Sequence, residues 1–270
     1  MQEISLAQAL VLALIQGLTE FLPISSSAHL ALLPRIAELP DQGLAFDTTV
    51  HLGTLTAVVV YFRKDLAAML RGWARTIALR RWDADPHGRL AWLVAIATIP
   101  VGLAGLALKD FVEEVLRDPV VIAWASIGFG ILLWWADRKP ARRPEGGWTL
   151  GEALAVGVAQ ALALIPGTSR SGITMTAARF LGYGRKEAAR FSFLLAIPVI
   201  ALAGGLKLVD WWQAPQHAAS AAALAVGYAA SAISAWICIH FFLRFIERMG
   251  MMPFVVYRVL LGVALLAWGG

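Results

Sequence analysis

Charge is scarce in this 270-residue chain: 15% of its residues are Asp, Glu, Lys or Arg, where a soluble domain carries about 25%. Cysteine is scarcer still. Cys238 stands alone, which excludes an intrachain disulfide and a cysteine-built metal site. No Lys or Arg precedes Arg35, so the basic opening of a signal peptide is not expected. The glycines do not fall in Walker spacing, which leaves ATP hydrolysis without support. Three or more spaced His and Asp ligands on one face are missing too, so a tight metal site is not expected.

Apolar sequence fills the space, with 59% of residues hydrophobic. A membrane crossing needs about 20 such residues. Six stretches are expected to cross in full: roughly 45–62, 90–108, 119–136, 188–207, 217–243 and 252–269. Two more are apolar but interrupted. Residues 5–33 break at Pro23 and the Ser25-Ser26-Ser27 run, and residues 150–182 break at Pro166-Gly167. Each reads as a re-entrant helix hairpin, tolerated at depth where it lines a cavity. The fold class is therefore an all-α polytopic membrane protein, with six full transmembrane helices plus two re-entrant hairpins. Eleven tryptophans, among them Trp92, Trp134, Trp135, Trp211, Trp212 and Trp268, suit aromatic belts at span ends.

The net charge of +5 does not point to nucleic acid, because the cations are gathered in loops. Stretches 63–89, 137–149 and 179–190, with Arg244 and Arg248, hold most of them; Arg35, Lys109, Arg117 and Lys207 fall on the opposite side. The cation-rich loops are expected to be cytoplasmic, which puts both termini outside. The chain then reads as a single transmembrane domain, 1–270, built as an inverted repeat. Residues 1–136 supply one hairpin and three spans, and residues 150–270 supply the same in opposite orientation. Gln16 and Ser25 to Ser27 pair with Gln160 and Ser169 to Ser171 at one offset, and Pro23 and Pro166 miss it by one. Such repeats place a site near the midplane where broken helices meet.

Both breaks carry polar islands. Residues 166–174 read Pro-Gly-Thr-Ser-Arg-Ser-Gly-Ile-Thr. Arg170 offers a planar fork of donors for phosphate oxygens, Ser169, Ser171 and Thr174 add hydroxyls, and Gly167 and Gly172 admit close backbone approach. An arginine at membrane depth marks a functional site. The first island holds Gln16, Glu20, Ser25, Ser26, Ser27 and His29. Gln16 and Glu20 share one helix face. His29 can act as nucleophile or as acid and base, and a serine can be a nucleophile beside a base. Arg170 would offset charge on a transferring phosphoryl group. Ser26 or His29 could attack, or His29 could activate water; Glu20 could orient His29 or hold a divalent ion bridged to a diphosphate. Arg258 reads as lining the cavity or reaching an interface, and stays outside the site. Asp47 and His51 face the outer side at the start of the first span, where surface placement suits them at least as well as a supporting role. His240 reads as interfacial, and His87 and His217 as loop residues.

At these residues the chain resembles the undecaprenyl-diphosphate phosphatase family, the bacitracin-resistance proteins. One family motif is Glu or Gln, three residues, Glu, then Pro-x-Ser-Ser and a His; here it is Gln16 to Glu20, Pro23 to Ser26, and His29. The other is Pro-Gly-x-Ser-Arg-Ser-Gly-x-Thr, matched by 166–174, and the Phe-Ser-Phe-Leu-Leu-Ala-Ile-Pro run at 191–198 is also typical. Gln16 stands where many members carry Glu, which shifts weight to Glu20. The resemblance covers essentially the whole chain. It implies hydrolysis of undecaprenyl diphosphate to undecaprenyl phosphate, with Glu20, Ser26, His29 and Arg170 catalytic. Gln16, Ser25, Ser27, Ser169, Ser171, Thr174 and Gly167 would bind substrate. It further implies support by Ca²⁺ or Mg²⁺ with Glu20 as a ligand, and a bacterial inner-membrane site open to the periplasm. A flippase of polyprenyl phosphates shares the transporter-like features but needs no nucleophile. Small-residue stretches 201–205 and 220–235 would suit packing of a second copy.

Overall fold

The computed structural model describes residues 4–30, 42–108, 111–112, 116, 118–213 and 219–268; the side chains of 208–213 and 268 lie outside that description. Arg35, Lys109, Arg117 and His217, with the side chains of Trp211, Trp212 and Trp268, therefore fall outside it. Among the described residues all regular structure is helical. The elements are α1 (Leu6–Thr19), α2 (Gly43–Tyr61), α3 (Arg63–Ala78), α4 (Pro86–Ala107), α5 (Pro119–Asp137), α6 (Leu150–Ala161), α7 (Arg170–Phe180), α8 (Arg185–Gln213), α9 (Ala221–Met249) and α10 (Met252–Trp268).

Their starts follow local chemistry. Ser5 and Gln8 cap α1 reciprocally, and Thr149 and Glu152 do the same for α6. Asp85 and Asp118 cap α4 and α5 ahead of Pro86 and Pro119, and a first-turn proline lacks only an amide that would go unpaired.

Five helices are long and apolar enough to cross a membrane: α2, α4, α5, α9 and α8 over Arg185–Lys207. They correspond to five of the six expected spans, and the chain is a multi-pass membrane protein. The sixth expected span is α10, a helix of 17 residues, about 26 Å long against a core of about 30 Å. One reading needs correction. Stretch 63–89 is not simply a loop, because it contains α3. Met69, Gly72 and Thr76 form its buried stripe, and Gly72 lies so close to Gly88 that a Cβ on Gly88 would come within 2.3 Å of the Gly72 oxygen.

Packing is tightest where small residues meet backbone. α9 lies against α1 and α2, and a Cβ on Gly17 would sit 2.7 Å from the Ser231 carbonyl oxygen. Ala223, Gly227, Ser231, Ser234 and Ala235 are buried in this packing. Much of the small-residue stretch 220–235 is thus used within the chain. α6 packs along α4, α5 along α10, and α2 along α8.

The cation-rich segments converge on one face. Arg185 bonds both oxygens of Asp137 at 2.7 and 2.9 Å and reaches the Glu247 carbonyl at 3.2 Å. Arg179 donates to the carbonyls of Asp137 and Lys139. Arg190 pairs with Asp65 at 2.6 Å, and Arg89 donates to the Trp148 carbonyl at 2.9 Å. The second interrupted stretch begins and ends here: Tyr183, just past its end, donates to Glu152 near its start at 2.9 Å. Burial pushes the Tyr183 phenol above the usual tyrosine range, and the bond to Glu152 adds to the shift.

Candidate active site

Both interrupted stretches leave helical geometry where the sequence breaks. After α1 the chain turns through 20–24 and resumes a helix at Ser26; after α6 a 3-10 turn, Leu162–Leu164, leads through Pro166-Gly167 to α7. Both tips carry a serine with positive φ, 72° at Ser25 and 69° at Ser169. Each hydroxyl lies 3.2 Å from that of the serine two residues on, Ser27 and Ser171. Ordinary residues avoid positive φ, and such strain persists only where surroundings impose it.

The tips border one cavity of about 230 Å³. Its polar side is formed by Glu20, Ser25, Ser26, Ser27, Thr48, His51, Ser169 and Arg170. Its apolar side includes Val101, Leu164, Val199, Ile200 and Ala203, with Lys207 beyond them.

Glu20 is the hub. Its Oε2 accepts from the Ser26 hydroxyl at 2.6 Å and from Gln16 Nε2 at 3.0 Å. Its Oε1 accepts from Arg170 Nη2 at 3.0 Å. Arg170 Nη1 donates to the Ser192 carbonyl at 3.1 Å, which fixes the guanidinium plane. The Glu20 and Arg170 side chains are 8% and 12% exposed. Attraction between buried charges is strong in low dielectric and offsets their desolvation only when the geometry is good; here each group also has a second hydrogen-bond partner. A serine donating to a carboxylate, with a guanidinium alongside, has the parts of a nucleophile, a base and a charge clamp.

Other expected site residues are placed beside the cavity. Gln16 is fully buried and holds Glu20 from behind. Ser171 donates to the Leu22 carbonyl at 2.8 Å, tying the second tip to the first. Thr174 is buried and bonded to the Arg170 carbonyl and the Ser192 hydroxyl. Gly167, at φ 91°, lies against α5, where a Cβ would come 2.4 Å from the Ile122 oxygen. Gly167 therefore serves packing and the turn. His29 does not contact Glu20. Its Nδ1 lies 2.7 Å from the Ser25 carbonyl and its Nε2 lies 2.5 Å from the Tyr257 hydroxyl. The pairing of His29 with Glu20, one of the sequence readings, is not formed.

Two residues matter more than the sequence indicated. His51 lines the cavity, with Nε2 4.0 Å from Glu20 Oε2 and Nδ1 2.7 Å from the Asp47 carbonyl. The Asp47–His51 spacing of four was the available signal, but only packing decides that this face of α2 turns inward. Arg258 is fully buried and joins the two tips. It donates to the carbonyls of Gly167 at 2.9 Å, Thr168 at 2.8 Å, Ser126 at 3.2 Å and Pro23 at 3.4 Å. It neither lines the cavity nor reaches an interface.

A resident metal ion does not fit these residues. Glu20 is the one carboxylate among the cavity-lining residues, and both its oxygens already accept hydrogen bonds. No group of three or more His, Cys, Asp or Glu residues suited to a metal occurs among the described residues.

Comparison with known proteins identifies the family. The family model described as bacitracin resistance protein BacA matches residues 9–264. Undecaprenyl-diphosphatase 2 of Stutzerimonas stutzeri is 56% identical over 265 residues, 97% of this chain and 97% of its own length. Undecaprenyl-diphosphatase of Hahella chejuensis is 56% identical over 264 residues, again 97% of each chain. That of Teredinibacter turnerae is 55% identical over 270 residues, 96% of this chain and 98% of its own. With its motifs on both tips of one cavity and near-complete coverage, the chain belongs to the BacA family of bacitracin resistance proteins.

Proposed function

We propose that the protein is a membrane phosphatase that converts undecaprenyl diphosphate to undecaprenyl phosphate and inorganic phosphate, recycling a cell-wall lipid carrier and so conferring resistance to bacitracin. The observation that carries this reading is the 2.6 Å bond from the Ser26 hydroxyl to Glu20, with Arg170 on the other carboxylate oxygen. Ser26 Oγ bonds to the terminal phosphorus while its proton passes to Glu20 and the bridging P–O bond breaks. Undecaprenyl phosphate leaves, taking up the proton from Glu20. Water then attacks the phosphoserine, giving a proton to Glu20, which returns it to Ser26 as phosphate departs. Arg170 offsets the charge that builds on the transferring phosphoryl oxygens. Ser25, Ser27 and Ser169 offer donors to the headgroup. His29, held between Ser25 and Tyr257, positions the tip that carries Ser26. A flippase would need the clamp but not the serine–carboxylate pair.

The fold reading is a six-span inverted repeat with two re-entrant hairpins. It is supported by the matching tip geometry of Ser25 and Ser169 and by corresponding helix pairs, α1 on α9 and α6 on α4. The cavity lies toward the Lys207 end of α8, away from the charged face that holds Arg185. With that face cytoplasmic, the site opens to the periplasmic side of a bacterial inner membrane. The lipid tail follows the apolar wall at Val199, Ile200 and Ala203. Any divalent ion, Ca²⁺ or Mg²⁺, would be carried in by the oxygens of the diphosphate itself, with Glu20 the one carboxylate lining the cavity. A homodimer contact on the exposed Ala201 and Gly205 of α8 belongs to the same proposal.

The test is phosphate release from undecaprenyl diphosphate by purified protein in detergent. Arg170→Ala is expected to lose release by about 10²-fold or more while remaining folded. Retained activity would remove Arg170 from the chemistry.

A further inference from the structure

Two turns beyond Val199, α8 presents Lys207 to the same cavity that holds Glu20 and Arg170. Val199, Ala203 and Lys207 recur every four residues and share one face. From the first to the last the helix rises about 12 Å.

The cavity's two inner charges are already matched, since Arg170 is paired with Glu20 at 3.0 Å. An incoming diphosphate carries several negative charges and finds no net positive charge there. Lys207 differs. It is partly buried, it lines the cavity, and among the described residues it makes no hydrogen bond or ion pair. A half-buried ammonium beside Ala203 and Gly204 gives up part of its hydration, a loss that an anion reaching it offsets. Lysine is also a compact charge with three rotatable donors, and so binds phosphate without demanding one orientation. A headgroup approaching Ser26 along this face of α8 would meet Lys207 in the same cavity.

We propose that Lys207 is a phosphate-binding residue of this cavity, capturing the diphosphate headgroup of the lipid substrate as it enters. The inference rests on the phosphatase reading above. A charge set apart from the reacting groups acts on encounter and on salt dependence more than on the bond-breaking step.

The experiment measures steady-state phosphate release at several salt concentrations. Lys207→Gln is expected to raise KM for undecaprenyl diphosphate about tenfold, at the low end of steering effects, with a much smaller change in kcat. The fall of kcat/KM with added salt becomes shallower, and Lys207→Arg restores both. Inhibition by inorganic diphosphate, which has no tail, weakens in parallel and assigns the effect to the headgroup. Lys64→Gln removes an exposed cation on α3, controls for net charge and leaves KM unchanged. Wild-type KM, salt slope and diphosphate inhibition in Lys207→Gln would overturn the assignment and leave the phosphatase reading standing. Failure of the wild-type protein to release phosphate would remove that reading itself.

Discussion

The two tips share a backbone turn and, in the proposed mechanism, divide the chemistry. Ser25 and Ser169 have φ values of 72° and 69°, and each hydroxyl stands 3.2 Å from that of the serine two residues on. What each tip carries is different. The first supplies Ser26 and, six residues earlier in the chain, Glu20; the second supplies Arg170. In the proposed mechanism neither acts alone, because the base would lack its counter-charge and the clamp would lack a nucleophile. The candidate site thus forms only where the two tips touch. The contacts that hold them are Ser171 to the Leu22 carbonyl and Arg258 to carbonyls of both tips.

The sharpest way to break this division is to remove the charge from one side. Glu20→Gln keeps the shape but removes the proton acceptor of Ser26 and the partner of Arg170. Its kcat for phosphate release is expected to fall about 10³-fold, and a loss under tenfold would contradict the role of base. Removing the joint comes next. Arg258→Met leaves several buried carbonyls without donors, at about 1–3 kcal/mol for each group left unpaired. Thermal unfolding in detergent is expected to show a net loss of about 3 kcal/mol, the largest stability effect of the set. His51→Ala leaves Ser26, Glu20 and Arg170 in place and removes only the ring 4.0 Å from Glu20. A drop in kcat of about tenfold is expected, equal to about 1.4 kcal/mol, measured in the same assay. The smallest effect separates the tips themselves. Ser169→Gly relieves positive φ but loses the hydroxyl that accepts from the Gly172 amide, and is expected to be close to neutral. Ser25→Gly relieves the same strain with no such amide bond to lose, and is expected to stabilise by about 0.5 kcal/mol. Equal shifts in melting temperature would mean that the tips are not distinguished by capping.

Much of this was legible in the sequence because it is local. Five long apolar runs, the breaks at Pro23 and Pro166-Gly167, and a lone arginine between serines all declare themselves without neighbours. Glu20, Ser26 and Arg170 could be named from motif and burial cost alone. What stayed hidden depends on which way a helix is turned. His51 lies on an apolar helix with little contrast between faces, so no periodicity reveals that it points at Glu20. His29 sits next to the serine run in sequence, yet its ring is drawn to Tyr257, 228 positions away. Arg258 looked like a lining or interfacial cation because nothing nearby in the chain tells of the Gly167 and Thr168 carbonyls it satisfies. α3 was missed because its cations masked an amphipathic stripe of only Met69, Gly72 and Thr76.

The most direct measurement is an acid-quenched single turnover with undecaprenyl diphosphate labelled in its terminal phosphate, followed by mapping of the labelled peptide. Label on Ser26, absent from Ser26→Ala and from Glu20→Gln, is the expected result. Full turnover by Ser26→Ala, with no label held by the wild-type protein, would contradict the account and pass the attack to water or to a histidine.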